Sequence, residues 1–215
     1  MTKIEEKHSE STEQRIINAA RKVFYTKGLA GSRMQEIADI AGINKALLHY
    51  YFRTKEKLFF EILKQTAGDF FPGLIHIWNS NDSFEEKLRK FIHSYIDFLL
   101  ENMYLPQFII TLVYQNPEKI VSVMRIRDIV KISNLQKHID TEAENGKIKN
   151  VDAYQLMISI LSLCVFPVMA RPIMKLAFEY SDADYQKILN ERKNIVYDTI
   201  MGWLTNEDKK NMELL

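Results

Sequence analysis

The chain is poor in the residues that make turns, covalent braces and reactive centres. Its 215 residues include only seven glycines and five prolines. Sandwiches and barrels need many turn residues, whereas helices tolerate few of either in their interiors. An all-α fold is therefore the first expectation. The single cysteine, Cys164, excludes an internal disulfide, and its place in an apolar run reads as a small buried hydrophobe. No apolar run reaches the roughly 20 residues of a membrane span. The longest, residues 156–170, is interrupted by Ser159, Ser162 and Pro167. The opening segment, MTKIEEKHSESTEQ, lacks the apolar centre of a signal peptide. A cytoplasmic setting without a membrane partner follows as an expectation. The five histidines form no His-x-x-x-His pattern, and Cys-x-x-Cys, Gly-rich phosphate loops and a Gly-x-Ser-x-Gly elbow are all missing. No catalytic residue, metal ligand or cofactor is expected, which weighs against an enzyme.

Hydrophobic residues make up 47% of the chain, enough for a substantial core. Net charge is only +1, but it is unevenly spread. Between Gln14 and Leu58 nine basic residues (Arg15, Arg21, Lys22, Lys27, Arg33, Lys45, Arg53, Lys55 and Lys57) stand against Glu36, Asp39 and Glu56. The remainder is consequently net acidic. A basic end on an acidic chain suggests that this end alone meets a polyanion.

The same end reads as three short helices. Thr12 is a suitable N-cap for the first, whose apolar stripe is Ile16, Ala20, Val23 and Phe24, and Gly28 ends it. A second helix starts near Ser32 and buries Met34, Ile37, Ala38 and Ala41. Gly42 can take the positive φ of a tight inter-helix turn, Ile43 plugs the gap, and Asn44 caps a third helix, Lys45 to Phe52. Together these make a helix-turn-helix, whose second helix enters the DNA major groove. On the turn alone, an αα-corner with no ligand stays open.

The segment Gly42-Ile43-Asn44-Lys45-Ala46-Leu47-Leu48-His49-Tyr50-Tyr51-Phe52-Arg53-Thr54-Lys55-Glu56-Lys57-Leu58 resembles the tetracycline-repressor (TetR) family. There the pattern is glycine, aliphatic, Ser, any, small, any, Leu, Tyr, any, Tyr-Phe, two variable positions, Lys-Glu, any, Leu. Residues 16–40 are also similar to that family's first two helices, so the resemblance covers about the first quarter of the chain. Leu47 replaces a frequent Thr and His49 a usual Tyr, and both changes fall on groups directed at DNA. Ala46 replaces a common Gly and Asn44 a common Ser, which alters size and capping little.

Helical spacing places Leu48, Tyr51 and Phe52 inward and Lys45, Ala46, His49 and Tyr50 toward the groove. Leu47 falls on the boundary. The resemblance favours a groove contact with a thymine methyl, and a packing contact at the rim stays equally open. Lys45 is the candidate reader of guanine, while Tyr50 and His49 offer donors to phosphate or base edges. The resemblance implies that the Tyr51 hydroxyl reaches a phosphate and that Lys55 clamps one. It also implies that Arg33 and Gln35 touch backbone or bases.

Beyond the head, a fourth helix is expected to stop at Pro72-Gly73. Further helices are expected from the Ser83 capping box to about Asn102, from Pro106 to near Asn116, and from Pro117 through to Asn145-Gly146. Two more run from Asp152 to Ala170, bent or broken at Pro167 and Pro172, and from an Asp182 cap to Trp203. About nine helices result, with a DNA-binding domain at 12–58 (motif near 34–53) and a ligand-binding and dimerisation domain at 59–215.

Large soft side chains recur in the second domain: Trp78, Phe91, Tyr95, Phe98, Phe108, Tyr114, Met124, Met157, Phe166, Met169 and Phe178. Most are expected in the core and a few around an apolar pocket, with His93 and Arg171 as candidate polar anchors. The pattern does not say which few. Ile188, Ile195, Val196 and Trp203, with Met157, Ile160 and Leu161, are candidates for a four-helix bundle between two subunits. The resemblance thus implies a homodimeric repressor that binds double-stranded operator DNA and is released by a small, largely apolar or aromatic effector. An all-helical enzyme and a protein adaptor are the rival classes.

Overall fold

A computed structural model of the chain describes residues 11–115, 117–123 and 132–205. Among the described residues there are eleven helices and no strand, two more helices than the periodicity suggests. They fall into two compact units that divide between Ala67 and Gly68. The first unit reaches past residue 58 because Leu58, Phe59, Ile62 and Leu63 are fully buried, with the Phe59 ring edge-on to Phe24 at 5.9 Å.

Helix α1 (Thr12–Gly31) is capped by Ser11 rather than Thr12, the Ser11 hydroxyl accepting from the Gln14 amide at 3.2 Å. Its regular part stops at Gly28, whose φ of 68° lies in the left-handed region. Ser32 is buried at the end of α1, so α2 (Met34–Ala41) starts two residues later than expected. Gly42 then takes φ 67° and ψ 39°, and Asn44 accepts the Leu47 amide at 2.8 Å to open α3 (Lys45–Tyr51). Ile16, Ile17, Ala20, Phe24, Ile37 and Leu48 are fully buried at the centre of this three-helix head.

Helix α4 (Lys55–Asn79) is capped by Thr54, which accepts the Lys57 amide at 3.2 Å. It does not stop at Pro72-Gly73 as expected. Proline costs the helix one hydrogen bond and a clash with the carbonyl four residues back. Here the apolar stripe runs on through Phe70, Phe71, Leu74, Ile77 and Trp78 into the core of the second unit, and that burial carries the helix to Asn79.

The second unit continues with α5 (Phe84–Glu101), α6 (Leu105–Gln115), α7 (Pro117–Val123) and α8 (Ile132–Glu144), then α9 (Ala153–Met169), α10 (Arg171–Ala177) and α11 (Asp182–Thr205). Helices α5, α9 and α11 pack together, with Leu88, Ile92, Leu156, Ile160, Val196 and Leu204 fully buried between them. Ser83 and Asp152 cap α5 and α9 as expected. At α11 the cap is Ser181, in a reciprocal box with Asp184, while Asp182 instead receives Arg171 and Lys175. These two cations hold the Asp182 carboxyl below its ordinary range, Lys175 most strongly. The expected single helix from Pro117 to Asn145 includes Met124 and its neighbours, which lie outside the described residues. Ile160 and Val196, proposed above for an intersubunit bundle, are buried within the chain. Leu161 on α9 and Ile195 on α11, from the same set, do face outward, and they are joined by Tyr154, Ile158 and Phe166 on α9 and by Ile173 and Leu176 on α10. No single helix among the described residues is long and apolar enough to cross a membrane.

Gly42 is the position in the head least able to accept a side chain. A Cβ there would lie 2.9 Å from an Arg15 guanidinium nitrogen, on a backbone already at positive φ. Gly42→Ala is expected to destabilise the head by about 1–2 kcal/mol, measured by urea denaturation followed by circular dichroism.

Candidate nucleic-acid interface and body cavity

Helix α3 is held by its inward face, and that decides what it presents outward. Leu48 is 0% exposed and Phe52 is buried, as their spacing predicts. Tyr51 is not: at 40% exposure it leaves the core. It is the last residue of α3, and its ring meets Tyr50 edge-on at 5.6 Å on the surface. Lys45, Ala46, His49 and Tyr50 are exposed, Tyr50 by 82%. Leu47, which spacing left on the boundary, is 37% exposed and joins this outward set. The His49 Nδ1–H donates to the Arg53 carbonyl at 3.2 Å, which leaves Nε2 for a partner outside the chain.

On α2, Arg33 occupies the N-cap position without capping the helix, and its side chain is exposed. Gln35 is exposed as well and donates to the Asp39 carboxylate at 2.8 Å. Lys45 has no ion-pair partner among the described residues.

Lys55 departs most from the expectation. Its ammonium is half-buried and donates to the carbonyls of Leu29 (2.7 Å), Ala30 (3.3 Å) and Ser32 (3.3 Å). The left-handed Gly28 breaks α1, and a cation at a helix C-terminus satisfies the carbonyls that follow it, the Leu29 carbonyl also accepting the Ser32 amide at 3.3 Å. All three ammonium protons thus have acceptors inside the head of the DNA-free chain, a structural task beside the expected phosphate contact. Arg15 has a parallel task, donating to the carbonyls of Ala41 and Gly42 at the end of α2. Lys27 is paired with Glu36 at 2.7 Å. The exposed cations that remain are Lys22, Arg33, Lys45, Arg53 and Lys57. Arg53 and Lys57, immediately after α3, add to the basic charge of the head at positions where the sequence pattern points to no DNA contact. Only the fold separates them from the cations turned inward.

The second unit encloses a cavity of about 770 Å³. Phe71, Leu74 and Trp78 of α4 line it, with Phe91, Tyr95 and Phe98 of α5. Helix α6 adds Ile109 and Val113, and α9 adds Met157 and Leu161. Of the soft side chains singled out in the sequence, Trp78, Phe91, Tyr95, Phe98 and Met157 reach the cavity. Phe108 is buried away from it, and Tyr114, Phe166 and Phe178 are exposed. Neither suggested polar anchor lines it. Arg171 pairs with Asp182. Burial, and then Lys193 and Arg89, hold His93 below the usual imidazole range. The polar lining is instead Asn79, Asn134, Lys137 and His138. Burial pushes the Cys164 thiol up to about 12, so it stays protonated at neutral pH. Among the described residues no group of three or more His, Cys, Asp or Glu is placed to hold a metal ion.

Residues 16–62 match the family model of bacterial regulatory proteins, tetR family. Over 171 residues the chain is 24% identical to the HTH-type transcriptional repressor NicS of Pseudomonas putida, covering 77% of this chain and 79% of that one. It is 42% identical to the HTH-type transcriptional regulator RutR of Escherichia coli over 50 residues, 23% of this chain and 24% of that one. In three dimensions it is similar to the transcriptional regulator FadR of Bacillus subtilis, solved in complex with stearoyl-CoA. That likeness has a TM-score of 0.62 at 20% identity and covers 88% of this chain and 98% of that one.

The Lys55 geometry separates a structural role from a DNA-only role. Lys55→Ala is expected to lower the stability of the free protein by about 1–2 kcal/mol, a charged hydrogen-bond contribution discounted for partial exposure. Denaturation in the absence of DNA measures it, and a residue that served phosphate alone would leave that curve unmoved.

Proposed function

Because residues 16–62 belong to the tetR family of bacterial regulatory proteins, we propose that the chain is a homodimeric repressor released from its operator by an effector in the body cavity. The observation that carries the DNA reading is the outward face of α3. Lys45, Ala46, Leu47, His49 and Tyr50 project together from a helix pinned by Leu48, with Arg33 and Gln35 exposed on the helix before it. Lys45 reads a guanine edge, the Leu47 side chain meets a thymine methyl, and Tyr50, Tyr51 and His49 serve phosphates or base edges. The domain that does this comprises the head and the start of α4. The remaining helices form the effector and dimerisation domain.

A second copy is supported by the outward apolar residues of α9 and α11, since adjacent exposed side chains of that size mark an association surface. Repression is supported by the likeness to NicS, a transcriptional repressor, and effector binding by the stearoyl-CoA complex of FadR. The cavity volume falls within the roughly 300–1,000 Å³ range of small-molecule sites.

Selection of bound sites from random double-stranded DNA tests the reading. A near-palindrome is expected, with affinity falling steeply between low and moderate salt because several phosphates are neutralised. Lys45→Ala should lose about 1–3 kcal/mol and relax base preference at one position of each half-site. Enrichment of no site, or binding flat with salt, defeats the proposal.

Release by an effector is a coupling between two sites and must be reciprocal. A releasing compound should bind the free protein about 5–150 times more tightly than the operator complex, the usual range of such couplings. Calorimetric titration with and without operator measures the factor, and equal affinities exclude the mechanism.

A further inference from the structure

The polar atoms of the cavity are gathered along one wall. Asn134, Lys137 and His138 are spaced i, i+3 and i+4 on α8, so they share one helix face. Asn79 ends α4 beside Trp78, whose ring centroid lies 6.4 Å from that of His138. Among the lining residues of α5, α6 and α9, Tyr95 alone carries a side-chain oxygen or nitrogen. An occupant therefore meets carbon on three sides and a polar edge on the fourth.

That edge is positive. Lys137 is exposed and has no ion-pair partner among the described residues. Lys87 of α5, only 6% exposed, also acts on His138. Burial first, and then Lys87, holds the His138 imidazole below its ordinary range. Glu142, the acid that acts on this ring, is already paired with Lys147 at 2.8 Å. The edge thus carries the Lys137 cation at the lining itself, with Lys87, which also acts on Asp82, behind it, and Glu142 already paired. A ligand cation would be repelled there, and a neutral ligand would leave Lys137 unused.

We propose that the cavity takes a monocarboxylate with an apolar body, the carboxylate at Lys137, His138 and Asn134 and the body among the rings of α4 and α5. This deepens the effector reading above by naming the chemistry of the effector. One acid group suffices, since Lys137 and His138 are the only basic side chains that line the cavity among the described residues.

The test is calorimetry on the full chain without DNA, using decanoate, decanol and decylammonium below their aggregation limits. Decanoate should bind at least about tenfold more tightly than decanol, the worth of a charge-assisted hydrogen bond, and decylammonium most weakly. Lys137→Gln should bring decanoate affinity down to that of decanol and so abolish the preference for the acid, with an unchanged circular dichroism melt showing that the variant is folded. Equal affinities, a preference for the amine, a preference that survives Lys137→Gln, or no binding of any probe overturns the proposal. With no operator in the cell, failure here leaves DNA binding standing. Conversely, an acid that binds without releasing DNA supports the site and counts only against the coupling.

Discussion

The aim of α3 depends on one tight corner, the left-handed turn at Gly42. A helix end leaves carbonyls without partners, and two helices meeting closely leave little room for water to serve them. Here the Arg15 guanidinium of α1 supplies the donors, reaching the Ala41 and Gly42 carbonyls across the space a Cβ would occupy. Asn44 caps the other side of the turn, and Leu48 is sealed in the core one turn further on. With both ends of the corner fixed and an inward face that cannot rotate, the outward residues of α3 have only one direction to face.

Cations used in this way change what the positive charge of the head means. Arg15 and Lys55 close the carbonyl ends of α2 and α1, and Lys27 is tied to Glu36. Only the exposed remainder, Lys22, Arg33, Lys45, Arg53 and Lys57, is free to set the field felt by a polyanion. The body treats its cations similarly. Arg89 lies over the Tyr197 ring at 3.8 Å, and Arg192 donates to the Leu163 carbonyl at 3.0 Å. Formal charge counted along a chain therefore overstates the charge available to a partner. The bias of the head survives the correction because its three acids include Glu36 and Asp39, which have internal partners of their own.

What could be read from the residues follows from how local the determinant is. The caps at Asn44, Ser83 and Asp152 and the breaks at Gly28 and Gly42 depend on a few neighbouring residues, and all were legible. Periodicity placed Leu48 and Phe52 correctly, but it could not see that α3 ends at Tyr51 and so frees that ring. The task of Lys55 was illegible because its acceptors lie some 23 to 26 residues away and exist only because Gly28 breaks α1. Pro72 misled for the opposite reason: a strong local rule against helix yielded to tertiary burial of Leu74 and Trp78. The cavity wall was illegible in the same sense. Aromatic stripes look alike whether they fill a core or line a space, and the polar edge on α8 was not suspected.

Helix α4 draws these strands together, because it works for both units in one continuous element. Its first turns bury Leu58, Phe59, Ile62 and Leu63 in the head, and its last turns set Phe71, Leu74 and Trp78 against the cavity. Gly68 opens the second duty, and Pro72 lies just inside it, after Phe70 and Phe71. It has no N–H to give the Gly68 carbonyl, so the helix lacks one backbone bond there, and helices bend most readily at such places. Gly68 and Gly73 beside it carry no side chain and have open space around them, so little packing resists a bend. The burial on either side, by contrast, is dense and costly to disturb. Under the proposed release, an occupant pressing on Phe71 or Trp78 would meet a segment with dense packing toward both ends and little around Gly68, Pro72 and Gly73. The free energy such a push can deliver is no more than the occupant's preference for one bend over the other, and a helix short of one bond keeps the cost of that bend small.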